Sequence, residues 1–169
     1  IPDDIDAAYY LIHSMSGSAS NYDELESISA NNFLERITKT TAQQLIYLSG
    51  IVNDVSLSKH LSSRKAVEDI LRNAIIPTTT LRAGIIVGSG SASFEIIRDL
   101  VDKLPVMITP KWLNTKCQPI AISDVLQFLT KSLLNPLTYN QSFDNGGPDI
   151  LTYKEMLLQF DKAKKLKRY

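Results

Sequence analysis

Short runs of apolar residues recur along this chain, and longer stretches with helical spacing of apolar residues separate them. The runs fall at Ala7–Ile12, Leu45–Gly50 and Thr78–Val87. Strands that carry apolar side chains on both faces are typical of parallel sheets, because helices cover such sheets on both sides. The alternation of strand and helix therefore predicts an α/β fold built on a doubly wound parallel sheet.

Three stretches have the spacing expected of helices that pack on this sheet. They are Tyr22–Lys39, a segment from about Ser58 to Ala74, and Phe94–Leu104, which Pro105 ends. The first is predicted to bury a stripe of Leu25, Ile28, Phe33 and Ile37, and the third a stripe of Phe94, Ile97, Val101 and Leu104.

The remaining third of the chain predicts smaller elements. Short strands are expected near Val106–Ile108 and Cys117–Ile122, followed by a helix over Ser123–Leu134. Thr152 and Glu155 have the spacing of a capping box, which predicts the start of a last helix.

Charge and cysteine content exclude several classes of partner. Lys and Arg number 18 and balance the 18 Asp and Glu residues, so no net charge attracts a nucleic acid or an anionic membrane. We expect a small-molecule or protein partner instead. The single cysteine, Cys117, forms no intrachain disulfide and has no second cysteine for a metal site. With no apolar run near the roughly 20 residues that span a bilayer, a cytoplasmic protein is predicted.

One predicted helix carries polar residues where a ligand could reach them. His60, Arg64, Val67, Leu71 and Ala74 share one helical face. The apolar members should pack on the sheet, so His60 and Arg64 should point to the carboxyl edge of the strands, where open α/β sheets bind ligands. The alternative is that both are ordinary polar residues that hydrogen-bond to nearby loop carbonyls.

The order Leu48-Ser49-Gly50, then His60 and Arg64, then Leu81-Arg82 resembles the NmrA-like, atypical and extended short-chain dehydrogenases/reductases. The resemblance continues through Tyr10–Met15, Leu81–Gly88, Gln118–Val125 and Phe143–Leu151. The string Leu81–Met107 looks like a bacterial subgroup described as nucleoside-diphosphate-sugar epimerases. Such a description rests on fold and not on chemistry.

The resemblance implies how the chain is divided. Residues 1–104 would be the C-terminal half of a Rossmann-type NAD(P)-binding domain, and residues 105–169 a small substrate-side subdomain. Complete members begin with a strand, a Gly-x-x-Gly-x-x-Gly turn and a helix that hold the cofactor pyrophosphate. No such turn precedes the first strand here, so the chain is expected to be a fragment that also lacks its C-terminal end.

The resemblance also implies a site. The family pairs a serine or threonine at a strand end with a Tyr-x-x-x-Lys motif, which here reads His60-x-x-x-Arg64. The implied catalytic residues are His60, Arg64 and Ser49, although the hydroxyl position could instead fall on Gly50. The resemblance implies that the intact protein binds NAD or NADP and no metal. The implied cofactor-binding residues are His13, Ser14, Ser49, Gly50, Arg64, Ala83, Gly84 and Ile85.

These replacements leave three hypotheses open. An imidazole titrates near neutrality and could relay a proton, whereas Arg64 is a fixed cation that could hold a ribose hydroxyl. The intact protein is then an NAD(P)-dependent oxidoreductase or epimerase-like enzyme. It could instead be a non-catalytic dinucleotide sensor of the NmrA type. The fragment alone could bind no cofactor, with a homodimer covering its exposed sheet edge.

Two further features have both a functional and a structural interpretation. The segment Gly88-Ser89-Gly90-Ser91 precedes a helix and could hold an anion, but a tight turn capped by Ser91 or Ser93 explains it equally. Trp112 could stack on a ligand ring or simply pack. We expect the structural interpretation for both.

Overall fold

The computed structural model describes residues 1–12, 22–51, 59–103 and 111–164. Within these ranges the chain alternates strands and helices, with two short 3₁₀ turns at Lys111–Asn114 and Pro136–Thr138. The elements are β1 (Ala7–Tyr10), α1 (Tyr22–Ile37), β2 (Gln44–Gly50), α2 (Lys59–Arg72), β3 (Thr78–Ala83), β4 (Ile86–Val87), α3 (Ala92–Lys103), β5 (Lys116–Cys117), β6 (Ile120–Ala121), α4 (Ile122–Ser132), β7 (Ser142–Asn145), β8 (Leu151–Thr152) and α5 (Tyr153–Lys164).

The chain forms two compact units, and each is built from two separate segments of the sequence. The first unit comprises residues 1–83 and 126–144, and the second comprises residues 84–125 and 145–169. The chain leaves the first unit after β3 and returns to it within α4. The two units therefore interleave in sequence, whereas the predicted domains, 1–104 and 105–169, are continuous stretches.

The first unit is built on a parallel sheet with the strand order β1-β2-β3-β7. Tyr10 lies beside Tyr47, and Tyr47 lies beside Thr80, so three neighbouring strands share one row of side chains. The amide of Thr80 donates to the carbonyl of Gln141 at 2.9 Å. The prediction of an α/β fold with a parallel sheet is confirmed.

Helices α1 and α2 cover one face of this sheet. Their shared core with the strands consists of Tyr10, Ala30, Ile37, Leu45, Tyr47, Val67, Leu71 and Ile76. Val67 and Leu71 are fully buried, as the stripe on α2 predicted. Burial of each such side chain contributes about 1.5–3 kcal/mol to the free energy of folding.

The predicted stripe on α1 is wrong in its first half. Leu25 and Ile28 are 50% and 47% exposed, whereas Glu26 and Ala30 are buried. The buried face of α1 runs from Glu26 through Ala30 to Ile37, which is one residue out of phase with the predicted stripe at its start. Apolarity alone misassigned this turn, because the helix buries a carboxylate that has a hydrogen-bond partner.

The opposite face of the sheet holds a buried polar network centred on Gln44. The Gln44 amide nitrogen donates to Thr79 Oγ1 at 2.8 Å and to the Ser132 carbonyl at 2.9 Å, while its oxygen accepts from the amide of Leu134. Gln44 and Thr79 have no solvent exposure. The network attaches the C-terminal end of α4 to the middle of the sheet.

A charged pair ties α2 to β3. Arg82 donates twice to the carboxylate of Glu68, at 2.7 and 3.0 Å, and Ser142 donates to the same carboxylate at 3.0 Å. Burial acts to raise the pKa of Glu68, but the hydrogen bonds and charge of Arg82, helped by Ser142 and Arg72, outweigh it and hold the pKa below its ordinary value. Glu68 is therefore ionised at neutral pH.

The third predicted strand, Thr78–Val87, is interrupted. It divides into β3, which belongs to the four-stranded sheet, and β4, which pairs in parallel with β6 in the second unit. The second unit also contains the antiparallel pair β5 and β8. Its core consists of Ile97, Val101, Leu113, Met156 and Leu157.

Other local predictions for the second unit can be compared directly. Thr152 and Glu155 form the predicted capping box, since the Glu155 amide donates to Thr152 Oγ1 and the Thr152 amide donates to Glu155 Oε2. The predicted strand at Val106–Ile108 lies outside the described residues. Among the helices that the structure describes, none is both long and apolar enough to cross a bilayer.

Replacing Gln44 with leucine should lower the free energy of unfolding by about 2–4 kcal/mol, because a buried amide and carbonyl each lose a partner at about 1–3 kcal/mol. Urea denaturation measures the change. Gln43→Leu is the matched control, since Gln43 precedes the network and is exposed. Equal midpoints for the two variants would show that the Gln44 network does not stabilise the fold.

Replacing Arg82 with methionine should cost about 3 kcal/mol at pH 7, because the Glu68 carboxylate keeps its burial but loses its bidentate partner. Arg72→Met is the control, since Arg72 is more exposed and lies 3.8 Å from the same carboxylate. A depressed carboxylate pKa stabilises the fold above the ordinary value of 4.5 and loses that contribution as pH falls. The difference between wild type and Arg82→Met should therefore shrink in acid, and a constant difference contradicts this account.

Candidate functional site

Three of the predicted site residues meet at the carboxyl ends of the strands in the first unit. Ser49 and Gly50 are the last two residues of β2, and Ala83 is the last residue of β3. The register places Gly50 beside Ala83, and the Ile51 amide donates to the Ala83 carbonyl at 3.0 Å. This edge is where open parallel sheets bind ligands.

Arg64 comes from the helix that packs over this edge. It lies in the second turn of α2 and is partly buried. Burial raises the pKa of the nearby Tyr47 phenol, and the charge of Arg64 acts against that rise. The Arg64 carbonyl lies against Tyr47, in the middle of β2. That the Arg64 side chain faces the carboxyl edge of the sheet stays a prediction.

The remaining predicted residues are distributed differently. His13 and Ser14 lie outside the described residues, and His60 lies in the first turn of α2 with a side chain that is also outside them. Gly84 and Ile85 belong to the second unit. There the Gly84 amide donates to the Asn145 carbonyl, and the Ile85 carbonyl accepts from the Ile120 amide. Both backbone groups are thus used in local pairing.

The Ser49 hydroxyl is the group in this site that points most directly to a ligand. The residue is 2% exposed, and in the described part of the chain its Oγ lies near the Tyr47 phenol without forming a hydrogen bond of ordinary length. A buried hydroxyl without a partner costs about 1–3 kcal/mol. It is therefore a donor and acceptor available at the end of the central strand.

Tyr47 is a neighbour of Ser49 and Arg64 that the sequence interpretation did not include in the site. Its phenol donates to the Arg64 carbonyl at 3.4 Å beneath α2. Burial raises the pKa of Tyr47, while the nearby Ser49 hydroxyl and the Arg64 charge act in the opposite direction. The phenol stays protonated at neutral pH and serves as a hydrogen-bond donor.

A buried carboxylate completes this polar cluster. Glu26 on α1 is 6% exposed and accepts a hydrogen bond from the Ser63 hydroxyl on α2. Tyr10 lies edge-on to Tyr47, with ring centroids 5.8 Å apart. Burial, followed by the neighbouring Tyr47 and Glu26, raises the pKa of Tyr10 to about 12. Glu26, Ser63, Tyr10 and Tyr47 form what we call the α1/α2 polar cluster.

Part of the surroundings of Tyr47 could be predicted from the sequence, whereas the α1/α2 polar cluster as a whole could not. Tyr47 and Ser49 are two residues apart on one strand and therefore point to the same face. The helix residues Ser63 and Arg64 are adjacent, so a contact at one places the other. The burial of Glu26 could not be predicted in this way. Its spacing from Phe33 and Ile37 fits a buried helical face, but the apolar Leu25 was the expected member of that face, and only the structure shows that Leu25 is exposed.

The second unit has an apolar cavity of its own. Its volume is about 310 Å³, and its walls are formed mainly by α3, α5 and the segments around Pro119 and Pro148. Phe94 and Phe160 meet edge-on in the wall, with centroids 5.4 Å apart, and Asp149 and Gln159 supply polar groups. An apolar cavity with few polar groups has the character of a small-molecule site.

The two competing sequence features have structural roles. Ser91 donates to the Ile86 carbonyl at 2.6 Å, and its Oγ accepts from the Phe94 amide, so it caps α3 as predicted. Trp112 packs edge-on against Tyr153. No group of three or more His, Cys, Asp or Glu side chains that could hold a metal occurs among the residues that the structure describes.

Tyr10 makes the fold sensitive to alkali. A phenol whose pKa rises from 10 to about 12 on folding stabilises the protein below pH 10, and this contribution disappears as pH rises toward 12. We expect the free energy of unfolding to fall over this interval, and Tyr10→Phe to make the decline shallower. Denaturation measured at stepped pH, with tyrosinate absorbance followed in parallel, tests this. An unchanged slope in Tyr10→Phe would contradict the assignment.

No family model and no curated protein sequence matches the chain. Solved structures do match. An epimerase from the methanogen Methanothermobacter thermautotrophicus superposes with a TM-score of 0.81 at 11% identity, over 96% of this chain and 58% of that one. The UDP-glucuronic acid 4-epimerase of Bacillus cereus in complex with NAD gives 0.76 at 15% identity, over 97% and 60%. The UDP-glucose 4-epimerase of Thermus thermophilus in complex with NAD gives 0.74 at 16%, over 96% and 63%.

These structures show the fold. The chain shares a Rossmann-like α/β fold with the matched structures and spans about 60% of their length. Identities of 11–16% carry no information about substrate or residue roles.

Proposed function

We propose that this chain is part of an NAD(P)-dependent oxidoreductase or nucleotide-sugar epimerase-like protein, in which Ser49, His60 and Arg64 face the reacting groups. The fold supports this proposal, since the matched structures include epimerases in complex with NAD. The observation that carries it is the buried, unpartnered Ser49 hydroxyl at the carboxyl end of the central strand.

The residues present fit one end of a dinucleotide. An orphaned hydroxyl at Ser49 and a partly buried cation at Arg64 suit a nicotinamide ribose and the substrate group beside it. No Gly-x-x-Gly-x-x-Gly turn precedes β1 in this sequence, so we take the pyrophosphate to be held by another part of the intact protein. When bound, the nicotinamide would accept or donate a hydride.

The protein side of the chemistry is divided among the three residues. Ser49 would donate a hydrogen bond to a substrate carbonyl or accept one from a carbinol. His60, in the first turn of α2, would move the proton, because an imidazole titrates near neutrality. Arg64 would hold a ribose hydroxyl as a fixed cation, since a guanidinium does not deprotonate.

A second function is favoured by one observation. The motif His60-x-x-x-Arg64 replaces both the tyrosine and the lysine of the pattern that the chain resembles. A non-catalytic NAD(P) sensor of the NmrA type needs cofactor binding but no proton relay. In that case Arg64 would bind the dinucleotide, and His60 would have no chemical role.

The remaining parts of the proposal concern the setting. The substrate would be a small molecule. We place the protein in the cytoplasm. Because β1 pairs with one neighbour among the described strands, its free edge could also pair with a second copy if nothing else covers it.

Binding and hydride transfer by the full-length protein test the proposal. Arg64→Met should weaken NADH binding about tenfold, the loss expected for a charge-assisted hydrogen bond. Ser49→Ala and His60→Phe should lower turnover by a factor of about 10² to 10⁴ while binding persists. Lys65→Met is the control, because Lys65 is adjacent, exposed and paired with Asp69 on the helix surface. Dinucleotide binding without turnover on any carbonyl or carbinol substrate would support the sensor and refute the enzyme.

The 169-residue chain has its own expected outcome. Calorimetry with NADH and NADPH should show no saturable heat, because the pyrophosphate cradle is absent from this sequence. Micromolar binding would show that the chain holds the dinucleotide by another route, and the expectation that these residues lack the pyrophosphate site would be wrong.

A further inference from the structure

The first two turns of α2 are held by polar contacts from both of their neighbours. From the sheet side, the Tyr47 phenol donates to the Arg64 carbonyl at 3.4 Å. From the α1 side, the Glu26 carboxylate accepts the hydrogen of the Ser63 hydroxyl. The two contacts reach consecutive residues of the helix from two different elements.

All three contacting side chains are withdrawn from water. Ser63 and Tyr47 are almost fully buried, and Glu26 is 6% exposed. A carboxylate buried in a core that also contains Leu45, Val67 and Leu71 costs free energy unless hydrogen bonds satisfy its oxygens. An apolar side chain of similar size at position 26 would avoid that cost, so the cluster needs another explanation than stability.

The two hydrogen bonds restrict movements of α2 that apolar packing alone allows. The packing of Val67 and Leu71 on the sheet is non-directional, so it tolerates small rotations and shifts of α2 about its axis. A hydrogen bond depends on both distance and angle. Two of them, at adjacent residues and from different directions, fix the rotation and the axial position of this end of the helix.

We infer that Tyr47 and Glu26 are positioning residues that set the direction of Arg64 by anchoring the Arg64 carbonyl and the Ser63 hydroxyl beneath α2. Part of this inference rests on the proposed function, since it gives Arg64 a ligand to meet. The anchoring itself does not depend on that function.

Amide hydrogen exchange of the 169-residue chain tests the anchoring. Tyr47→Phe and Glu26→Leu should raise exchange in residues 63–67 about tenfold, the equivalent of one net hydrogen bond, while residues 69–72 and β3 change less. Glu26→Gln retains an acceptor for Ser63 and should restore exchange to near the wild-type rate.

Two matched controls separate anchoring from general loosening. Tyr9→Phe removes another phenol that donates to a helix carbonyl, here that of Leu129 at 3.1 Å, and should affect α4 but not α2. Glu24→Leu changes an exposed carboxylate on the same helix as Glu26. Equal acceleration throughout the first unit, or none in residues 63–67, would overturn the inference.

A binding cycle tests whether the anchoring acts through Arg64. In the full-length protein, Tyr47→Phe should weaken NADH binding severalfold, but should weaken it no further when Arg64 is already methionine. Equal losses in both backgrounds would show that Tyr47 acts only through stability, which refutes its positioning role. If the full-length protein binds no NADH, the proposed function fails, and the exchange experiment still decides the anchoring.

Discussion

The burial of β2 on both of its faces is the constraint on which the first unit depends. Its side chains alternate between the α1/α2 core and the face that α4 covers, and nearly all of them are shielded from solvent. Every polar group on this strand therefore needs a partner inside the protein. The Gln44 side chain forms hydrogen bonds with Thr79, Ser132, Leu134 and Thr138, and the Tyr47 phenol donates one to the Arg64 carbonyl. Ser49 finds none among the described residues, and that exception marks the candidate site.

Much of the fold follows from apolar pattern alone. The runs around Leu45 and Thr78 became neighbouring parallel strands, and the stripe of Val67 and Leu71 packs on them. The apolar pattern failed where a buried residue is polar and its apolar neighbour is exposed. Glu26 is buried and Leu25 is exposed, because a carboxylate with a hydroxyl partner can occupy a core position. The interruption after Ala83 also has no apolar signal, since residues on both sides of it are apolar and only their pairing partners differ.

The candidate site was predictable to a similar degree. Ser49, Gly50 and Ala83 meet at one sheet edge, as the strand ends implied, and Arg64 lies in the second turn of α2. What the sequence could not supply is the layer beneath Arg64. Tyr47 and Tyr10 were interpreted as parts of apolar strands, and nothing in their spacing indicates that their phenols lie near a buried carboxylate. Contacts between α1 and α2 exist only in three dimensions, because no local periodicity records them.

The Gln44 network has a consequence for how the strands align. In a sheet with one wet face, sliding a strand by one residue moves its apolar side chains into water, and this penalty defines the alignment. β2 has no wet face, so a slip would exchange one set of apolar residues for another at little cost. A slip would, however, carry the Gln44 side chain to the other face of the sheet. Its partners at the end of α4 and on β3 would then lose their hydrogen bonds. The hydrogen bonds of Gln44, at the start of a strand that is buried on both faces, thus favour a single alignment.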